Sequence, residues 1–286
     1  MTSSKFPVEA ALGALSALHG VNVVSRNRLI WWTGALAVLG ATGLLTGGLI
    51  LSSGSPAILL SVTFPHGKKL ITNERAYYDP HAAGARLSPV WMVTSGSLFS
   101  DDGSGWTGIP DGVSPNVTSS NGTDSAVFRV VTRRSDFDDV SVAFQLWIAG
   151  LVTTPRTPAQ SYDGVHVFLR YQNQTHLYVV SVYRRDGVVA VKEKIPGGPV
   201  NGGTYFTLGE ARYRMPLKRW VSVNVSIVTL ANDEVHIELF INGDKVLSAI
   251  STRSRAAPIL AAGRVGLRGD NCQFFFRDFT VSSASP

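Results

Sequence analysis

Cysteine is almost missing from this chain: among 286 residues there is one, Cys272. A single thiol closes no intrachain disulfide, and no Cys/His cluster stands at zinc-binding spacing. His19, His66, His81, His176 and His236 show no ligand spacing either. Proteins that pass through the oxidising export route of a higher eukaryote usually carry paired cysteines, so this scarcity points to a bacterial cell envelope. Runs of one charge sign are also missing. The net charge is +6, from 26 Lys and Arg against 20 Asp and Glu, but no basic run exceeds two residues. That excludes a clustered nucleic-acid footprint, and no nucleic-acid partner is expected. No phosphate loop, Ser-His-Asp set or cofactor fingerprint is visible, and no cofactor is expected. Internal repeats, low-complexity tracts and, beyond residue 51, amphipathic helices are absent as well.

What is present begins with one long apolar run. Residues 29–51, from Leu29 through Leu51, contain no charged side chain. About 20 apolar residues suffice for a helix to cross the hydrocarbon layer, so a transmembrane helix is expected there. Trp31 and Trp32 stand at its start, where indoles favour the headgroup region. Arg26 and Arg28 flank the near end, which predicts a cytoplasmic segment 1–28 and an extracytoplasmic C-terminal part. Gly43 and Gly47 form a G-x-x-x-G through which two such helices can associate. A linker and first strand are expected over 52–70, and a β-sandwich over 71–286.

The β expectation rests on alternation. Val221, Val223, Val225 and Ile227 alternate with Ser222, Asn224 and Ser226, and Val235, Ile237, Leu239 and Ile241 alternate with His236, Glu238 and Phe240. Strands with one apolar face belong to antiparallel sheets packed on one side. Similar runs at 57–64, 91–99, 125–132, 140–148, 165–171, 177–183, 188–194, 245–251, 264–269 and 273–281 are separated by turn signals such as Asp186-Gly187 and Asn242-Gly243. Many strands without intervening helices predict a sandwich or barrel. Four N-x-[ST] sequons, at Asn116, Asn121, Asn173 and Asn224, matter only in a host that glycosylates.

The hairpin from Asp163 to Gly187 carries the candidate chemistry. Period-2 alternation places Val165, Val167, Leu169 and Tyr171 on one face and His166, Phe168 and Arg170 on the other. Two functional readings follow. With Asp163 at the strand mouth, Asp163 and His166 form an acid/base pair and Arg170 stabilises charge, as a hydrolase or lyase would need. Alternatively His166, Arg170, Tyr183 and Arg185 hold a sugar by stacking and hydrogen bonding, with no catalysis. Asn201 and Tyr205, in the polar segment Asn201-Gly202-Gly203-Thr204-Tyr205, either rim that site or merely connect strands. Arg268-Gly269-Asp270 spells an adhesion tripeptide but reads as a strand end before a turn at Asn271.

The strand order resembles the concanavalin A-like lectin/glucanase superfamily, the laminin-G-like jelly roll. The likeness is carried by Asp-Gly-Val-His-Val-Phe-Leu-Arg-Tyr (163–171), Arg219-Trp220-Val221-Ser222-Val223, Phe240-Ile241-Asn242-Gly243 and Gly263-Arg264-Val265-Gly266-Leu267. Val-Thr-Ser-Gly-Ser-Leu-Phe (93–99), Gly-Trp-Thr-Gly (105–108) and Arg-Asp-Gly (185–187) are similar to actinobacterial exported members. The resemblance spans about residues 71–281 and implies an all-β jelly-roll sandwich. It implies a lectin, hydrolase, lyase or adhesive role, and for some members a structural calcium near the position of Asp278. The laminarinase-type catalytic pattern, acid-x-acid-x-acid on one strand, is not found around Glu74, Glu193, Glu210, Glu234 or Glu238. The expected function is therefore a membrane-anchored envelope protein whose sandwich binds a glycan or a neighbouring envelope component. A glycan-cleaving enzyme and an accessory subunit of a membrane complex are the alternatives.

Overall fold

The computed structural model describes residues 55–113, 126–254 and 256–285. The expected membrane run with Gly43 and Gly47, the segment 1–28 and the sequons at Asn116 and Asn121 lie outside the described residues. Among the described residues no helix is long and apolar enough to cross a membrane.

In chain order the elements begin with β1 (Ile58–Val62), β2 (Lys69–Asn73), the single helical turn α1 (Arg75–Tyr78), β3 (Trp91–Ser95), β4 (Ser97–Asp101) and β5 (Ser104–Trp106). Next come β6 (Val127–Thr132), β7 (Val140–Leu151), β8 (Gly164–Asn173), β9 (His176–Arg184) and β10 (Val188–Val200). The chain closes with β11 (Gly203–Arg212), β12 (Trp220–Thr229), β13 (Val235–Ile241), β14 (Asp244–Ser251), β15 (Arg264–Asp270) and β16 (Cys272–Ser283). They form two antiparallel sheets. The nine-stranded sheet runs β14-β13-β12-β7-β16-β5-β4-β2, with β1 paired to β16, and the seven-stranded sheet runs β11-β10-β9-β8-β15-β6-β3.

The two-layered, all-β architecture expected from alternation is what the chain adopts. Val221, Val223, Val225 and Ile227 on β12 face Val165, Val167 and Leu169 on β8 and Val180 and Val182 on β9 within one buried cluster. Each such side chain contributes roughly 1.5–3 kcal/mol on burial. Three local expectations differ. The run 91–99 is two strands, because Gly96 takes φ 82° and its N–H donates to Glu74 Oε2 at 2.6 Å. The short β2 and β5 carry too few alternating residues to stand out. Residues 203–212, for which no strand is expected from the sequence, form edge strand β11, whose two glycines and polar residues mask its period.

The most consequential departure is a bulge in β8. Phe168 pairs with Gly266 and Tyr171 with Arg264, so Leu169 and Arg170 together face Val265 alone. Arg170 adopts φ 43° to make room. Side-chain phase slips at that point. Tyr171, expected inside with Leu169, turns outward and stacks on Phe168 at 5.5 Å. Arg170, expected outside with His166, turns inward and is fully buried. Its guanidinium donates to Ile259 O (2.7 Å), Asp139 Oδ1 (2.7 Å) and Thr229 Oγ1 (2.7 Å), and lies 3.0 Å from Asp138 Oδ1. Arg170 is thus a tie between the two sheets, not a ligand-facing residue.

The bulge fits only because Gly263 lies beside it: a Cβ there would approach Arg170 C to 2.5 Å and Cα to 2.8 Å. Gly263→Ala is expected to destabilise the fold by about 1–3 kcal/mol, as overpacking of backbone against backbone does. Urea unfolding should show a lowered midpoint at unchanged slope; an unshifted midpoint would mean that the bulge is not under this constraint.

Candidate functional site

Strand register builds the site as a row of polar side chains across the outer face of the seven-stranded sheet. Ser181 on β9 pairs with His166 on β8, His166 with Arg268 on β15, and Arg268 with Arg129 on β6. Directly opposed residues share a face, so these four side chains stand side by side. Asp270, one pleat along β15 from Arg268, lies on the same face. Beside the row, Phe168, Tyr171, Leu177, Val179 and Val131 form a small apolar floor.

A depression of about 410 Å³ opens over this row. His166, Ser181, Arg268 and Asp270 form its base; Arg184 and Lys192 stand at its sides; Tyr162, Asn201 and Tyr205 border it. His166 Nδ1 is 2.9 Å from Ser181 Oγ, within hydrogen-bond distance. Its Nε2 sits 3.2 Å from Asp270 Oδ2, close enough to pair but turned off the line of a straight hydrogen bond. Asp270 Oδ1 accepts from both Nε (3.0 Å) and Nη2 (2.8 Å) of Arg268.

The electrostatics follow from these neighbours. Burial opposes the Asp270 charge, but the Arg268 guanidinium and then His166 more than offset it and hold the carboxyl well below the usual carboxylate range. Burial pushes the His166 pKa down from 6.5; Asp270 counteracts this in part, while Arg268 and Arg184 add to it. His166 is therefore neutral at pH 7.

The six residues expected to bind a ligand are divided among three places. His166, Asn201 and Tyr205 share the depression. Arg170 is in the inner layer, for the reason given above. Tyr183 and Arg185 line a different depression of about 610 Å³ at the β9–β10 turn, with Arg212, Met215 and Leu217. The expected pairing of Asp163 with His166 is corrected too, since Asp163 does not line the depression around His166. Its Oδ2 accepts from Arg185 Nε (3.2 Å), Arg185 Nη2 (3.0 Å) and Gln160 N (2.9 Å), and its Oδ1 from Asn271 Nδ2 (3.2 Å). This clasp fastens the entry of β8 to the exit of β9. The carboxylate that meets His166 is Asp270.

The larger depression has the weaker claim to function. Its Arg184 and Arg185 are engaged by Asp186 (2.5 Å) and Asp163 (3.0 Å), and its floor is the connection before β12. The smaller one gathers convergent polar groups on rigid strands, the usual character of a ligand site. Asp278, expected near a calcium, is 74% exposed in its side chain with Arg277 Nε 3.7 Å away. Among the described residues no three His, Cys, Asp or Glu side chains converge. Calcium takes about six to eight oxygens, so these donors do not fit that ion.

Arg129, Tyr162, Ser181, Arg184, Lys192, Arg268 and Asp270 were not singled out as site residues in sequence. Ser181, His166 and Asp270 also bring together a Ser-His-Asp set that linear spacing does not show. Alternation does place Arg268 and Asp270 on one face, away from Val265 and Leu267. What alternation cannot supply is that β15 pairs with β8.

No protein-family model matches the chain, and no curated protein matches it. Among solved structures it is similar to a carbohydrate-binding module, CBM66, from Bacillus subtilis: 10% identity, TM-score 0.45, covering 68% of this chain and 95% of that one. A protein of unknown function with a galectin-like fold, also from Bacillus subtilis, is similar at 11% identity and TM-score 0.45, covering 80% and 98%. The potassium-bound carbohydrate recognition domain of Emp46p is similar at 9% identity and TM-score 0.47, covering 68% and 89%. Likenesses at this level assign neither ligand nor activity to this chain.

The His166 environment has a measurable consequence. Unfolded, His166 takes up its proton near its ordinary value of 6.5; folded, it does so only at lower pH. Between those two values the unfolded chain binds more protons, so stability rises with pH across that window and is lost on acidification. His166→Gln should flatten this part of the stability–pH curve relative to wild type in denaturant titrations. Identical curves for the two proteins would contradict the buried neutral imidazole.

Proposed function

We propose that the outer face of the seven-stranded sheet binds a glycan without cleaving it, and that residues 29–51 hold the sandwich at a cell membrane, with 1–28 cytoplasmic and the sandwich outside. The observation that carries the binding reading is the make-up of the 410 Å³ depression. Aromatic Tyr205 and Tyr162 and apolar Val179 stand beside Asn201, Lys192 and Arg268. A sugar presents C–H faces that pack on rings and aliphatic groups, and hydroxyls that need fixed donors and acceptors. The uncharged run 29–51 supports the tether, which keeps even a weak site close to the envelope.

The same geometry favours holding over cleaving. Two-carboxylate glycoside hydrolysis requires an acid and a base or nucleophile. Asp270 is the carboxylate lining this depression; its Oδ1 accepts twice from Arg268 and its Oδ2 stands 3.2 Å from His166 Nε2. The Ser181–His166–Asp270 set lacks the other half of acyl-transfer chemistry. Ser181 lies mid-strand with β8 on one side and β10 on the other, so its backbone N–H lies in the sheet plane rather than aimed above the face, where an oxyanion would form.

A glycan array probed with the detergent-solubilised full-length protein tests this. Wild type should bind at least one class of glycan. Tyr205→Ala should weaken that binding by about tenfold or more, and Tyr183→Ala, in the other depression, should leave it unchanged. Absence of binding across the array would overturn the reading and favour a protein partner in the membrane.

A further inference from the structure

We propose that the glycan bound on this face carries an anionic group, a carboxylate or a phosphate, and that Arg129, Lys194 and Arg268 receive it. This rests on the glycan reading above and narrows its ligand class.

The first observation is register. Arg268 and Arg129 are directly opposed on paired strands, an arrangement of like charges that destabilises a sheet unless something neutralises it. Asp270 cannot neutralise both. Its Oδ1 takes two donors from Arg268 and its Oδ2 faces His166. Among the described residues the Arg129 guanidinium hydrogen-bonds only Thr94 Oγ1, at 3.5 Å, and among the described ion pairs it has no carboxylate partner, although the Asp270 charge acts on it.

The second observation is Lys194. On β10 it is almost wholly covered, 2% exposed, yet among the described residues its ammonium meets no carboxylate: Nζ donates to Gln174 O at 2.9 Å and lies 4.9 Å from the Tyr205 ring centre. Burial, followed by the Arg268 and Arg129 charges, brings its pKa down from 10.5 to about 8. Burial and Arg268 likewise lower Arg129. Asp270 compensates Arg268, so Arg129 and Lys194 are the two cations held here at a cost to the free protein that a bound anion would remove.

The third observation is continuity. Arg129, Lys194 and Arg268 line a small recess that shares Asn201, Tyr205 and Arg268 with the 410 Å³ depression. The recess, about 10 Å³, has room for one water-sized group, so a sugar packed beside Tyr205 would bring one oxygen of an anionic substituent to it, with the rest of the group at its mouth. Guanidinium groups take carboxylate or phosphate oxygens in paired hydrogen bonds, and the ammonium adds a point charge.

The experiment uses full-length protein and two matched ligand pairs: an oligogalacturonate against its methyl ester, and a phosphorylated maltotriose against maltotriose. The charged member of at least one pair should bind about tenfold tighter or more, and rising salt should weaken it. Which pair responds tells carboxylate from phosphate. Lys194→Met and, separately, Arg129→Gln should abolish the preference for the charged member. Without ligand, the melting temperature of Lys194→Met should be equal to or above that of wild type, since a repelled charge has been removed. If neutral members bind as tightly as charged ones, or both variants keep the preference, the proposal is overturned while the glycan reading stands. If the array shows glycan binding but neither charged ligand binds, the proposal is likewise overturned. If no glycan binds at all, both fail together.

Discussion

The antiparallel pairing of β8 with β15 is the constraint on which the rest of this structure depends. It sets Arg268 opposite His166 and brings Asp270 to the imidazole. It also contains the bulge at Leu169 and Arg170 that sends Arg170 inward to tie the sheets, while Arg268, in the regular part of the pairing, stays on the outer face. A slip of this pairing by one residue would exchange the two faces of a strand and dissolve both the core contact and the polar row. Gly263, with no Cβ, permits the close approach of the Arg170 backbone that the bulge requires.

From that pairing the site follows with little further specification. Four adjacent strands contribute one polar residue each to a single cross-strand row, and a fifth, β10, adds Lys192 and Lys194 beside it. The opposite outer face is built differently. There Phe99, Trp106, Phe275, Trp147 and Trp220 are in direct register on β4, β5, β16, β7 and β12. Trp106 and Phe275 lie parallel 5.8 Å apart, while Lys68 and Arg277 sit over the rings of Trp106 and Trp220. Those aromatic faces are largely turned to one another and to cations, which suits cross-strand stabilisation. On the seven-stranded sheet Arg268 is met by Asp270, but Arg129 and Lys194 have no carboxylate partner among the described ion pairs, and this contrast is why function is proposed there.

The sequence made the layers legible because apolar alternation at period two is a local signal: Val221 to Ile227 and Val235 to Ile241 announce their faces without any partner. It made half of the hairpin legible. His166 does face outward, but Arg170 and Tyr171 exchange sides at a bulge whose cause, Gly263, is distant in the chain. Asp163 looked like a catalytic neighbour of His166 through proximity in sequence, yet its side chain is drawn away by Arg185 and Asn271. Asp270, far along the chain, reaches the imidazole through strand pairing. The tripeptide Arg268-Gly269-Asp270 was legible as strand text, but its role at the base of the depression was not, because pairing between remote strands leaves no mark in local composition.

Hydrogen–deuterium exchange of the full-length protein, with and without an oligosaccharide ligand found by array, tests the placement of function most directly. The account predicts added protection in peptides from β8, β9, β10, β11 and β15, with the nine-stranded sheet unchanged. Protection centred on Trp106, Trp147 and Trp220 instead would contradict it.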